Sequence, residues 1–267
     1  MDDYSSSREA RDPFCLQAGE AAALLAGHPW KRFVVIGDSV ASGIGDRVDG
    51  YSPLPWCDRI AAELAANSDD FIYLNLGRRE LKAAEVREQQ LDDALRFAPD
   101  LALVVCGGND ALPSAYKSEV VDAEISAMVT ALREAGADVI TIGMFNVAYA
   151  PVIREAVRHL VSARMLRLSD STAQLGARLG TIHVNMTGHP AQTDPAMYSE
   201  DGLHGNLRSH AICAAETIRG LGAHLGNSFS AGVAVRDRLA MMWAAPVLAS
   251  IAGRMDVMNL LSGWAAA

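Results

Sequence analysis

The chain has 267 residues, half of them hydrophobic, and a formal net charge of −9. That length and apolar content suit one α/β domain with a large core. The acidic balance argues against nucleic acid or an anionic membrane surface as the main partner, because both require clustered Lys and Arg.

Residues 1–13 are polar and lack the basic and apolar regions of a secretory signal, so they are predicted to form a flexible tail. The folded domain is expected over 14–225. An Ala/Leu-rich helix runs from Gln17 to Ala26 and stops at Gly27 and Pro29. Phe33-Val34-Val35-Ile36 is a short apolar run that leads into Gly37-Asp38-Ser39. Such a run reads as a buried strand, which places Ser39 at the strand's carboxyl end, where open α/β sheets carry their chemistry. A long Gly- and Pro-containing loop, Ser39–Pro55, precedes a helix over Trp56–Ala66.

Strands follow at Phe71–Leu76, Leu101–Val105, Val139–Ile142 and Thr181–Met186. Helices are predicted between them at 82–96, Glu119–Ala135 and Val152–Leu179, the last with Ile153, Val157, Leu160, Val161, Leu168, Leu175 and Leu179 on one face. A final helix, Asn206–Leu221, closes the domain. Short, continuously apolar strands alternating with helices imply a parallel sheet covered on both faces, a three-layer α/β domain. Cys15, Cys57, Cys106 and Cys213 have neither CxxC nor metal-ligand spacing, which predicts free thiols in a reducing, cytoplasmic setting.

Residues 226–267 differ in character. Arg236, Asp237, Arg238, Arg254 and Asp256 are the only charges over 231–264, and the uncharged run Leu239–Gly253 is too short for a membrane span. Two helices separated by Pro246 are expected there. They form an apolar lid, an interface for a homo-oligomer, or a completion of the core; spacing does not separate these readings.

Three loops at the carboxyl edge of the sheet carry reactive side chains. Ser39 supplies a hydroxyl. Asp201-Gly202-Leu203-His204 follows the fifth strand and offers His204 as a base, with Asp201 three residues before it to hold the imidazole. Cys106-Gly107-Gly108-Asn109-Asp110 follows the third strand, and the Asn109 amide is a candidate oxyanion donor. His183 and His210 read as structural.

Together, Gly-Asp-Ser, Gly-Gly-Asn-Asp and Asp-x-x-His resemble the SGNH hydrolases, also called GDSL-type esterases and lipases, over roughly Phe33–Leu221. The stretches Ala22–Trp30 and Asp201–Asn206 look like an actinobacterial branch. The resemblance implies a flavodoxin-like sheet of order 2-1-3-4-5 and hydrolysis of a small-molecule acyl ester or thioester with no metal or cofactor. It implies Ser39 as nucleophile, His204 as general base and Asp201 as its orienter. The implied oxyanion hole takes the Ser39 N–H, the Asn109 side chain and a backbone N–H after strand two. That last position is a Gly in the family pattern and is Glu80 here, within Asn75-Leu76-Gly77-Arg78-Arg79-Glu80. A glutamate there would be strained if the backbone needs positive φ, and its carboxylate would oppose an oxyanion. An acyltransferase using the same triad and a non-catalytic binding module are the alternatives, since a fold alone does not establish activity.

Overall fold

A computed structural model describes residues 7–113 and 115–230. Five strands, β1 (Arg32–Gly37), β2 (Ile72–Asn75), β3 (Leu101–Val105), β4 (Asp138–Gly143) and β5 (Ile182–Asn185), form one sheet of order β2-β1-β3-β4-β5. Every neighbouring pair is parallel. This is the 2-1-3-4-5 arrangement expected of the flavodoxin-like fold.

The central strands are apolar on both faces because helices cover both. Phe33–Ile36, Leu101–Leu103 and Val139–Ile140 have no solvent exposure. One layer holds α5 (Ala83–Arg96), α7 (Ser118–Glu134) and α8 (Glu155–Leu179), packed on one another and on β1, β3, β4 and β5. The other holds α2 (Glu20–Leu24), α4 (Trp56–Ala66) and α9 (Leu207–Leu225), with α4 on β2 and α9 on β5. No helix among the described residues is long and apolar enough to cross a membrane. All four cysteines are free thiols.

Two expectations need correction. Residues 7–13 do not form a tail: Arg8–Arg11 is a short helix, α1, capped by the Ser7 hydroxyl. Its acids look solvated in the sequence but are buried against arginines. Glu9 pairs with Arg59 at 2.5 Å and accepts the Ser52 N–H. Asp12 accepts from Arg208 and from the Tyr51 hydroxyl, each at 2.7 Å. Residues 1–6 lie outside the described residues.

The buried face of α8 also differs. Val157 and Leu160 are exposed, at 38% and 44%. The buried positions are Val161, Met165, Leu168, Ser169, Thr172, Leu175 and Gly176. The early turns pack beside the 3-10 turn Val147–Tyr149, and the sheet takes the later ones. The helical pair expected over 231–264 lies outside the described residues.

Candidate active site

β1 delivers Ser39. The strand ends at Gly37, where a Cβ would stand 2.0 Å from the Val105 carbonyl oxygen, so only glycine lets β1 run this close to β3. Asp38 then caps a four-residue helix, α3 (Ser39–Ser42), its Oδ1 accepting the Val40 N–H at 2.9 Å. Ser39 is the first residue of that helix, where the backbone N–H has no intrahelical acceptor. The residue is 6% exposed. The sequence pattern left α3 inside a loop because four residues carry no periodicity.

The loop after β5 supplies the base. Asp201 grips its own turn: Oδ1 accepts the Leu203 N–H at 2.8 Å and the His204 N–H at 2.9 Å. Its Oδ2 lies 2.6 Å from His204 Nδ1. An ionised carboxylate only accepts, so the proton sits on Nδ1 and Nε2 is left as an acceptor. That Nε2 is 2.9 Å from Ser39 Oγ. Partial burial works against ionisation of Asp201, but the hydrogen bonds from His204 and from the two backbone N–H groups outweigh it and hold the carboxyl down to about 2. The loop is fastened to the segment after Ser39, since Asp46 N–H donates to Ser199 Oγ and Glu200 N–H to Asp46 Oδ2. The sheet thus brings Ser39, His204 and Asp201, read from separate motifs, into one hydrogen-bonded chain.

Asn109 stands in another short helix at this edge, α6 (Gly108–Ala111), and lines the same cavity as Ser39 and His204. One N–H of its amide donates to the Leu81 carbonyl at 3.0 Å, and a primary amide keeps a second. The neighbouring Asp110 accepts the Ala83 N–H at 3.0 Å. These two bonds clasp the 81–83 backbone to α6. Just before it, Glu80 has φ 67°. The family glycine position therefore does have a left-handed backbone, and a glutamate occupies it. The Glu80 side chain is exposed and is not part of the cavity wall. Of the two effects expected from the sequence, strain matches the geometry and charge does not. Relief of the strain, about 1 kcal/mol, is partly offset by the freer unfolded chain of a glycine. Glu80→Gly is expected to raise Tm by up to a few degrees and to raise kcat on simple esters, whereas Glu80→Gln should match wild type in both. A Gln variant that tracks the Gly variant would assign the effect to the carboxylate.

Two further side chains support the site. Gln90 of α5 is 1% exposed, and its amide brackets Gly37, donating to the carbonyl at 2.9 Å and accepting the N–H at 2.8 Å. It supplies the acceptor for the Gly37 N–H beyond the end of the β1–β2 pairing at Val35–Asn75, while the Gly37 carbonyl also accepts the Arg78 N–H at 3.1 Å. Asp38, beside the nucleophile, is pushed up to about 7 by burial, helped by the Asp110 charge and resisted by the Val40 N–H. A carboxyl raised in the folded state binds more protons folded than unfolded between its two pKa values. Its contribution therefore lowers stability as pH rises from about 4 to about 7, on the order of a few kcal/mol. Asp38→Asn keeps the cap acceptor and removes the titration. The stability of the variant relative to wild type should increase from pH 5 to pH 8, read from urea midpoints; parallel pH curves would contradict this.

His210 and His183 are held within the fold. His210 accepts the Trp56 N–H through Nδ1 at 3.1 Å and lies 3.1 Å from the Ile44 carbonyl through Nε2; burial pushes it down to about 4. His183 is satisfied on one side only: Nδ1 is 3.1 Å from Thr141 Oγ1, while the buried Nε2 has no partner among the described residues.

The family model described as GDSL-like Lipase/Acylhydrolase matches residues 35–212. No curated protein matches the sequence. Solved structures share the fold at low identity. A lipase/acylhydrolase from Enterococcus faecalis is 20% identical, with a TM-score of 0.57 over 75% of this chain and 100% of its own. A psychrotrophic esterase, EstA, from Pseudoalteromonas is 15% identical, with a TM-score of 0.57 over 73% of this chain and 98% of its own. Axe2, an acetyl-xylooligosaccharide esterase from Geobacillus, is 17% identical, with a TM-score of 0.57 over 75% of this chain and 96% of its own.

Proposed function

The chain belongs to the GDSL-like lipase/acylhydrolase family and is a serine hydrolase acting on esters, and on that basis we propose that Ser39, His204 and Asp201 form its catalytic triad and that it hydrolyses a small-molecule acyl ester or thioester through an acyl-enzyme. The observation that carries the assignment is the continuous chain from Asp201 Oδ2 through His204 to Ser39 Oγ, at 2.6 and 2.9 Å. Ser39 Oγ attacks the ester carbonyl as its proton passes to His204 Nε2. The imidazolium so formed is held by the ionised Asp201. Negative charge on the carbonyl oxygen meets the Ser39 N–H and the second N–H of the Asn109 amide, with the Glu80 backbone N–H as the third donor. Collapse expels the alcohol or thiol, which takes the proton from His204. Water then attacks the acyl-Ser39 ester with His204 again as base, releasing the acid and restoring the serine.

The nucleophile is tested with a fluorophosphonate probe, which should label wild-type protein at Ser39, located by peptide mass, and leave Ser39→Ala unlabelled. Labelling at another residue, or equal labelling of the variant, would overturn the assignment.

A further inference from the structure

A cavity of about 120 Å³ opens beside Ser39, His204 and Asn109. Its wall is built from core residues. Trp56, Met186 and Met197 are each 1% exposed, Ile142 is 6% and Met144 is 8%. Most of the polar groups in the wall are committed elsewhere. Both His210 nitrogens face the backbone groups named above, the Tyr198 hydroxyl donates to the Gln192 carbonyl, and the Ser209 hydroxyl donates to the Met197 carbonyl. The Gln192 amide oxygen accepts the Asn146 N–H. Hydroxylated or charged substituents would lose water there and find few partners, whereas an alkyl chain gains from burial.

The volume sets the length. A dry protein cavity of about 150 Å³, lined by aliphatic and aromatic side chains, holds one benzene, six carbons. By that scale the present cavity takes a chain of about four to six carbons. Three methionines in the wall give it some adaptability. The half of the ester that occupies it is set by the order of events. The leaving alcohol must depart before water reaches the acyl-enzyme, while the acyl half stays bonded to Ser39 through both steps. A recess in the core suits the half that stays.

We propose that this enzyme selects esters of unbranched, unsubstituted acyl groups of about four to six carbons, with the acyl chain seated in the cavity between Trp56, Ile142 and the methionines. The inference rests on the serine hydrolase reading given above. It is tested with p-nitrophenyl esters from acetyl to dodecanoyl, and with acetyl esters of alcohols of the same lengths. Each methylene accommodated should raise kcat/KM about fourfold, roughly fifteenfold from acetyl to butyryl, with a fall beyond about six carbons. The alcohol series should stay flat.

Two variants of the cavity wall move the optimum in opposite directions. Cys213→Phe, on α9, fills the recess and should shift the preference to acetyl. Met144→Ala should extend it by about two carbons. Fluorophosphonate labelling of each variant reports that the site is folded, so a packing failure in one leaves the other to decide. Normal labelling with no dependence on acyl length, a peak at dodecanoyl, or a preference that follows the alcohol would overturn the inference while the hydrolase reading stands. Loss of labelling in wild-type protein would overturn both.

Discussion

Ser39→Ala is expected to lower kcat on p-nitrophenyl esters by about 10⁴–10⁶ with little change in Tm. The size follows from the geometry. Ser39 Oγ is the hydroxyl bonded to His204 Nε2, so its loss removes the covalent route entirely. What remains is activation of water by the site and stabilisation of an oxyanion. Stability should be nearly unaffected. The position begins a short helix whose cap comes from Asp38, and alanine keeps the helical backbone. The nitrogen left without its partner belongs to His204, whose side chain is 17% exposed and within reach of water. Near-wild-type turnover in a clean Ser39→Ala preparation would remove the triad assignment, and loss of the folded state would show that the hydroxyl has a structural role the geometry does not assign.

Asp201→Asn is the second large effect, about 10³ in kcat. Asparagine keeps Oδ1 as acceptor for the Leu203 and His204 N–H groups, so the turn persists. At the other atom an acceptor becomes an N–H donor. His204 then turns Nδ1 into the acceptor and carries its proton on Nε2, the nitrogen that must take the proton from Ser39. Buried orienting acids lose about 10⁴ on this change. The Asp201 side chain is 45% exposed, and solvent weakens its hold on both the tautomer and the imidazolium. With its carboxyl near 2, Asp201 stays ionised at every pH at which esters are ordinarily assayed and adds no acid limb of its own. Its contribution to stability is present above the unfolded carboxylate pKa and disappears as pH falls toward 2. Asp201→Ala should cost more than Asp201→Asn, because the turn loses two hydrogen bonds as well. Equal activity of wild type and Asp201→Asn would mean that another group orients the imidazole.

The strands and the three reactive loops were legible because each rests on a local signal, whereas the sheet order came from the family resemblance. Leu101–Val105 and Trp56–Ala66 fall at the residues where they were expected, the first a continuous apolar run buried on both faces and the second a helix with a regular apolar face. Features that depend on distant partners were not legible. Gln90 lies in a helix of charged residues, and nothing local marks it as the partner of Gly37. The buried stripe of α8 includes Ser169, Thr172 and Gly176, which periodicity counts as polar or neutral; Thr172 satisfies its hydroxyl on the Leu168 carbonyl and so enters the core without penalty. The left-handed φ of Glu80 lies next to the clasp between 81–83 and α6, a contact between segments distant in the sequence. The acids of 7–13 read as solvated because their arginines lie far along the chain.

Those distances have a consequence for synthesis. Asp12 and Glu20 are buried, and the arginines that neutralise them, Arg208 and Arg219, come 196 and 199 residues later. Burying either acid before its partner exists would leave an uncompensated charge, which is costly. On the ribosome, therefore, residues 7–20 are held out of their final place until α9 has left the exit tunnel. That segment becomes ordered only when α9 arrives, and a truncation inside α9 should unlock residues 7–20 as surely as cutting them away.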